Sequence, residues 1–280
     1  MIKVIHAGLL TSVQDKGRIG FRKYGVPLSG VMDAISASFA NALLNNKQSD
    51  AVIEITMVGP KLLFTANTII SLAGADISPK LNGIEISNYK AYKVSIGAVL
   101  SFGKLKKGAR VYLAVKGGLK TEKILNSRSN YIGITSTPFL TKNEDLKYNE
   151  FDSKIITIGK MNQKNSFFET TILEVFKGPE FEIFSSSQMD KLLSVSMTIA
   201  TNNRMGYRLK EHVLPHKNSI ITSPVLPGTV QLIPSGQLII LMKDAQTTGG
   251  YPRVFQLTEK SIAILAQKKA GDTIQLKLFV

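Results

Sequence analysis

Leu10 to Asp33, "LTSVQDKGRIGFRKYGVPLSGVMD", sets two fixed cations, Arg18 and Arg22, among the polar heads Gln14, Asp15, Ser29 and Asp33 and four glycines, Gly17, Gly20, Gly25 and Gly30. Guanidinium groups hold carboxylate or phosphate oxygens, carboxylates orient groups or take protons, and glycines let the backbone turn tightly and approach a ligand. Asp33 by itself reads as a helix cap. The segment as a whole is denser in functional groups than a turn-rich loop requires, and reads as a site.

A second segment, "NNRMGYRLK" from Asn202 to Lys210, places Arg204 and Arg208 four apart around Gly206. In an extended chain an even separation puts both on one face, where they would converge on an oxyanion; an exposed basic hairpin fits the spacing equally well. The third, "KDAQTTGGYPRVFQL" from Lys243 to Leu257, follows an apolar strand ending at Met242. Asp244, Gln246, Thr247 and Thr248 would therefore emerge from a rigid element into the Gly249–Gly250 turn, with Tyr251 and Pro252 restarting an extended run. A polar turn alone does not need that set.

Other chemistries lack their residues. The chain has no cysteine, which removes disulfides, thiolate nucleophiles and cysteine-held metals. His6, His212 and His216 have no carboxylates at ligand spacing, and Pro215 breaks the helical pairing of the last two, so no metal is expected. There is no G-x-S-x-G elbow and no G-x-x-x-x-G-K-[ST] loop, so any ATP would not be held here by a Walker motif.

The elements that must position these groups are mainly strands. Period-two alternation is cleanest at Ile274, Leu276 and Leu278, with Gln275 and Lys277 between them. Strand-like runs also occur at Val52–Val58, Thr68–Leu72, Arg110–Val115, Thr171–Phe176, Ile220–Pro224, Thr229–Ile233 and Gln237–Met242. "LAGAD", Leu72 to Asp76, reads with Gly59–Pro60 as strand ends and turns. Three helices are expected. Asp33 to Asn46 has Ile35, Phe39, Ala42 and Leu43 as its apolar face; Thr258 to Lys269 has Thr258 as cap, Lys268 and Lys269 at its negative end and Gly271 as stop; Ser186 to Val195 is the third.

A chain of 280 residues with 44% hydrophobic content can bury one large core or two ordinary ones. The polar stretch Thr141 to Ser166 suggests a boundary, giving residues 1–150 and 151–280. Gly59–Pro60 recurs as Gly178–Pro179, and Gly97 and Gly108 parallel Gly228 and Gly236 in two strand–turn–strand runs, at offsets of 119, 131 and 128 residues. A duplicated β-unit fits; so does chance similarity between two β-rich stretches.

The formal charge is +15. Its densest cluster, Lys104, Lys106, Lys107 and Arg110, runs into an apolar strand without the interleaved aromatics of a nucleic-acid groove, so it reads as solvated lysines, compatible with an acidic partner or a small anionic substrate. Val4 to Leu10 contains His6 and Gly8 and is no signal peptide; Leu238 to Met242 falls far short of the roughly 20 residues of a membrane helix. A soluble, cytoplasmic protein that binds neither nucleic acid nor membrane is expected.

Several of these motifs, in order and across nearly the whole chain, resemble the C-type subunit family of 5-oxoprolinase, also described as the KipA or allophanate hydrolase subunit 2 family and related to the carboxyltransferase part of urea carboxylase. The resemblance rests on "GLLTSVQDKGRIGFRKYGVPLSGVMD", "NALLNN", "IEITMVGPKLLF", "RMGYRL" and "GTVQLIPSGQLIILMKDAQTTGGYPRVFQL". It implies two cyclophilin-like β-barrel subdomains with few short helices. It also implies a B-type (KipI-like) partner protein and an A-type (LamB/YcsF-like) hydrolase, with ATP-dependent conversion of 5-oxoproline to glutamate by the hetero-oligomeric complex through activation of the lactam amide.

The resemblance supplies only the motifs; on the chemistry of their residues, Asp15, Arg18, Arg204 and Asp244 are assigned here as the catalytic set. Gln14, Ser29, Arg128, Arg208, Gln246, Thr247, Thr248 and Tyr251 contact the small amide substrate. The family's Gly-Ser-Arg-Ser-Thr element reads Asn126-Ser127-Arg128-Ser129-Asn130 here, and the following loop, Tyr131 to Leu146, lacks the family's paired glycines and arginine. Two alternatives accompany the reading: a biotin-dependent carboxyltransferase acting on a urea-like amide, needing a separate biotinylated carrier, and a regulator that binds a KipI-like kinase inhibitor without turnover.

Overall fold

Val111 to Val115 form an unbroken apolar run because both faces of their strand are covered. In the computed structural model, which describes residues 1–151, 166–213 and 215–279, the chain divides into two compact units. The first comprises Met1–Ile19 with Ser29–Phe168, the second Gly20–Leu28 with Glu169–Val280. Residues 20–28 group with the second unit although they lie early in the chain. Most of the polar stretch from 141 to 166, at residues 152–165, lies outside the described residues.

The first unit pairs two antiparallel sheets. One runs Leu10–Gln14, Val52–Thr56, Lys107–Val115, Thr68–Asp76 and Ala91–Val94; the other has six strands, with Ile2–His6, Lys61–Phe64 and Val99–Phe102 at its centre. Alternation sends Ile53, Ile55, Leu72, Val111, Leu113 and Val115 into one core with Ile2, Val4, Leu62, Phe64 and Leu100. The opposite face, with Val52, Ile69, Ala73, Tyr112 and Ala114, packs on the helix Ala34–Leu43.

That helix buries Ser36, Ala37, Ala40, Asn41 and Leu43, not the face expected from its larger side chains: Ala42 is exposed, and Ile35 and Phe39 are half-buried. Small residues win because they let helix and sheet approach until Ser71 Oγ donates to Ala40 O at 2.6 Å. Asp33 caps the helix, accepting Ser36 N at 2.9 Å and Ser36 Oγ at 2.6 Å.

Buried polar groups fasten the helix start. Asp33 N donates to Tyr112 Oη at 2.8 Å and Met32 N to Glu54 Oε2 at 2.8 Å, with Arg110 Nε 3.8 Å from Glu54 Oε1. Burial, then the negative Glu54 and Asp33, pushes the Tyr112 hydroxyl well above its ordinary pKa. Arg110 thus departs from the solvated cluster expected of it: its strand alternation turns it inward, to a buried carboxylate. "LAGAD" also departs from expectation, lying inside the strand Thr68–Asp76. The register there shifts at a bulge where Gly74 has φ 107° and a Cβ would collide with Arg110 O.

The second unit closes as a seven-stranded barrel in the order Ile172–Lys177, Arg253–Leu257, Thr229–Leu232, Gln237–Leu241, Gly206–His212, Met197–Asn202 and Thr273–Leu278. Its ends join through the parallel pairing of Ile172–Lys177 with Thr273–Leu278. Helix Ser186–Ser194 starts on a Ser185–Gln188 capping box, and helix Glu259–Ala266 on Thr258. Lys268, just past the end of the last helix, is buried, and Lys269 reaches Asp272 at 2.8 Å.

Two strand expectations change. Of Ile220–Pro224 only Ser223–Pro224 pairs, with Thr248–Gly249, and Ile221 lies fully open. The paired strand–turn–strand of the duplication argument exists only in the second unit: Thr229–Leu232 and Gln237–Leu241 pair with each other, whereas Val99–Phe102 and Lys107–Val115 belong to different sheets. Among the described residues no helix is long and apolar enough to cross a membrane.

Candidate functional site

Strand Leu10–Gln14 ends where Asp15 begins a loop, and this carboxylate organises its surroundings. Asp15 Oδ1 accepts Gly17 N at 2.8 Å, Ser127 Oγ at 2.5 Å and Ser129 Oγ at 2.8 Å, while Oδ2 accepts Arg128 N at 2.7 Å. Four donors fill the roughly four lone-pair positions of a carboxylate. The 126–130 element is thereby fixed although it lies more than 110 residues away in sequence.

Its neighbours reinforce that clamp. Val13 N donates to Asn130 Oδ1 at 2.6 Å and Asn130 N returns to Val13 O at 2.8 Å. Gln14 Nε2 donates to Ser12 Oγ at 2.9 Å, and Gln14 Oε1 accepts Gly30 N at 3.1 Å. Arg18 is fully buried, with Nη2 donating to Ser129 O at 2.5 Å. Gly30 is required by close approach as well as by φ 85°, since a Cβ there would meet the backbone of Asp15, Lys16 and Gly17 within 2.9 Å.

Ser29 is fully buried at φ 56°, a left-handed conformation that serine seldom adopts, and among the described residues its Oγ has no hydrogen-bond partner. The first unit therefore brings Gln14, Asp15, Arg18 and Arg128 into one hydrogen-bonded cluster through Ser127, Ser129 and Asn130. Ser129 and Asn130 stood out in the sequence only as members of the Asn126–Asn130 element, Ser129 matching the family's residue there and Asn130 departing from it.

In the second unit Arg204 and Asp244 meet directly. Arg204 Nε donates to Asp244 Oδ2 at 2.8 Å and Nη2 to Oδ1 at 3.0 Å. Arg204 lies in the turn before its strand, so the even-spacing argument does not hold for it. Arg208, between the inward Tyr207 and Leu209, is exposed on the outer face. The two arginines thus occupy different environments instead of sharing a strand face.

Gln246, Thr248 and Tyr251 are exposed, and Thr247 is half-buried. The segment carrying them is held by backbone pairing of Thr248–Gly249 with Ser223–Pro224, and by Arg22, whose Nη2 donates to the carbonyls of Val225 and Thr247. Burial lowers the Arg22 pKa from its ordinary value. Arg22 thus braces a loop of its own unit.

A second carboxylate grip has no sequence signal at all, its partners being 73 residues apart. Arg253 Nε donates to Glu180 Oε2 at 2.8 Å, Nη2 to Oε1 at 2.7 Å and Nη1 to Pro224 O at 2.8 Å. These hydrogen bonds hold the Glu180 carboxyl below its usual pKa against the opposing effect of burial, and raise that of Arg253. Among the described residues no group of three or more His, Asp or Glu could hold a metal ion.

A sandwich whose strand end carries a carboxylate-clamped Ser-Arg-Ser loop, followed by a closed barrel with a carboxylate gripped by arginine, has relatives along its whole length. A family model described as carboxyltransferase domain, subdomain A and B, matches residues 24–278, and the chain belongs to that family. Within it, the chain is 31% identical to the C-type subunit of 5-oxoprolinase from Escherichia coli (strain K12), over 98% of this chain and 90% of that protein.

It is also 33% identical to urea amidolyase of Saccharomyces cerevisiae, over 98% of this chain but 16% of that protein. The solved structure of TTHA0988 superposes with a TM-score of 0.88 at 27% identity, covering 99% of this chain. This chain spans 55% of that one. The mainly β architecture expected from the sequence is that of these relatives.

Proposed function

We propose that the chain is the C-type subunit of an ATP-dependent 5-oxoprolinase complex, helping convert 5-oxoproline to glutamate by activating the lactam amide. The observation that carries this reading is coverage: the similarity to the 5-oxoprolinase protein extends over nearly all of both chains, whereas urea amidolyase is several times longer than the part this chain resembles. A B-type (KipI-like) protein and an A-type (LamB/YcsF-like) hydrolase would complete the assembly. The chain has no Walker loop, so the reading assigns ATP to the complex and not to a defined site here.

The geometry refines the residue roles. Asp15, with both oxygens occupied by donors, is a positioning residue that fixes the backbone of Arg128. Arg204, with Nε and Nη2 on one carboxylate, orients Asp244. In this reading the Arg128 guanidinium is the group of the first unit able to hold an oxyanion, and the oriented Asp244 carboxylate is the group of the second able to accept an N–H or a proton. Arg18, buried behind the loop, supports it, and Gln246, Thr248 and Tyr251 offer exposed polar contacts.

Reconstitution with the B-type and A-type partners tests the reading: glutamate should form from 5-oxoproline only with ATP and all three proteins. An assembled complex that forms none would overturn it. The similarity to urea amidolyase favours one second reading, carboxyl transfer from a biotinylated carrier to a urea-like amide, in which turnover would require that carrier and bicarbonate. Complex formation with no turnover in either assay would leave the regulator of a KipI-like protein.

A further inference from the structure

The barrel of the second unit is covered unevenly. Helix Ser186–Ser194 packs on strand Thr273–Leu278, where Gln275 Nε2 donates to Leu193 O at 3.3 Å, and helix Glu259–Ala266 packs on Ile172–Lys177 and Arg253–Leu257. Val225, Leu241 and Ala245, with Ile239 against them, form a small apolar cluster at strand Gln237–Leu241. Strands Met197–Asn202 and Gly206–His212 are left bare: among the described residues neither has a helix packed along it.

That bare side carries cations. Alternation turns Tyr207 and Leu209 inward and leaves Arg208 and Lys210 exposed on the outer face, about 7 Å apart along the strand. Thr201 lies across from Arg208 on one neighbouring strand and Ile239 on the other, and Thr198, Ala200 and Gln237 add neutral, half-buried side chains. The carboxylates close by are occupied. Glu211 Oε2 accepts Thr198 N at 2.6 Å, Asp272 accepts Lys269 N at 2.9 Å and Lys269 Nζ at 2.8 Å, and Asp244 is gripped by Arg204. Among the described residues Arg208 and Lys210 have no hydrogen-bond or ion-pair partner.

Free cations beside occupied carboxylates leave one sign of charge on this face, which favours a partner of the opposite sign. The face is the outside of a closed barrel, whereas small-molecule sites are concave. Its outward side chains include no aromatic on which the bases of a single strand could stack.

We infer that the outer face of strands Met197–Asn202 and Gly206–His212 docks an acidic segment of a protein partner. Carboxylates of that segment meet Arg208 and Lys210, and an extended chain with an acidic residue at every second position matches their spacing. The surface is independent of the proposed reaction, and it gives Arg208 a role apart from the Arg204–Asp244 pair.

Fluorescence anisotropy with the full chain tests it, the probes being an end-blocked decapeptide of alternating Glu and Thr, its Gln-for-Glu counterpart and a single-stranded oligothymidylate. At about 50 mM salt the acidic peptide should bind saturably and the Gln peptide should bind weaker by about tenfold or more; raising salt to about 200 mM should weaken the acidic peptide. Arg208→Glu with Lys210→Glu should weaken it by about tenfold or more, and Arg208→Gln with Lys210→Gln by about threefold or more, with unchanged thermal midpoints. Lys93→Glu, an exposed charge on strand Ala91–Val94 of the first unit, should change binding by less than about twofold.

No saturable binding of the acidic peptide, equal binding of the Gln peptide, an equal loss with Lys93→Glu, or binding that survives both double variants would overturn the inference. Oligothymidylate held more tightly than the peptide through Arg208 and Lys210 would overturn it as well, in favour of nucleic acid.

Discussion

Arg204 grips Asp244 through two parallel hydrogen bonds, Nε to Oδ2 at 2.8 Å and Nη2 to Oδ1 at 3.0 Å, while Asp244 N donates back to Arg204 O at 2.9 Å. Both side chains are nearly nine-tenths covered, at 13% and 12% exposure. The arrangement fixes where Asp244 points and leaves Arg204 little capacity for a ligand.

Arg204→Lys keeps the charge and loses the fork. It should cost on the order of 1–2 kcal/mol in denaturant unfolding and lower activity of the assembled complex by about tenfold or more, whereas Arg204→Ala should cost on the order of 2–3 kcal/mol. Wild-type activity in a folded Arg204→Lys complex would show that the pair serves stability alone.

Asp15→Asn replaces an acceptor of four hydrogen bonds by a group that must donate with one of its two heads. The 126–130 loop should become the first site of proteolysis, at a stability cost of about 1–3 kcal/mol. Glutamate release by the assembled complex should fall with it, and undiminished release in this variant would separate Arg128 from its clamp.

Tyr112→Phe removes the acceptor of the buried Asp33 N–H, and should destabilise the first unit by about 1–3 kcal/mol with no change at the second. Asp33→Ala, which deletes the cap, should cost about 1 kcal/mol. Urea unfolding of the two variants checks both figures; Tyr112→Phe within error of wild type would mean that the amide finds water.

Because Arg253 hydrogen bonds hold Glu180 below its ordinary value of 4.5, the pair contributes its full stability above that pH and loses it as pH falls through the lowered pKa. Glu180→Gln removes the titrating group. The stability gap between wild type and variant should stay constant from neutrality down to about pH 5 and narrow below it. A gap that widens on acidification would contradict the assignment.

Much of the fold was legible because it rests on local rules. Alternation at Ile274, Leu276 and Leu278, the caps at Asp33 and Thr258 and the glycine punctuation each act within a few residues, and each element formed close to its expected bounds. The helix Ala34–Leu43 defeated the pattern because close packing on a sheet selects small residues, which carry little hydrophobic signal. Gly74 misled for a related reason: a glycine inside a strand at a bulge looks the same in sequence as a glycine ending one.

The candidate site was legible by residue type and not by partner. Asp15 and Arg128, Arg204 and Asp244, and Glu180 and Arg253 are 113, 40 and 73 residues apart, and pairing at such range is decided by sheet register, which no local spacing encodes. Arg110 was misplaced because a cationic cluster in sequence says nothing of which strand face each member takes.

The most direct trial is glutamate release from 5-oxoproline by the chain assembled with its B-type and A-type partners, followed with and without ATP and with Asp244→Asn in place of the wild-type chain. The account predicts glutamate that requires ATP and all three proteins, lost with Asp244→Asn while the assembly stays intact. A complete assembly that yields no glutamate, or one that works equally well with Asp244→Asn, would contradict it.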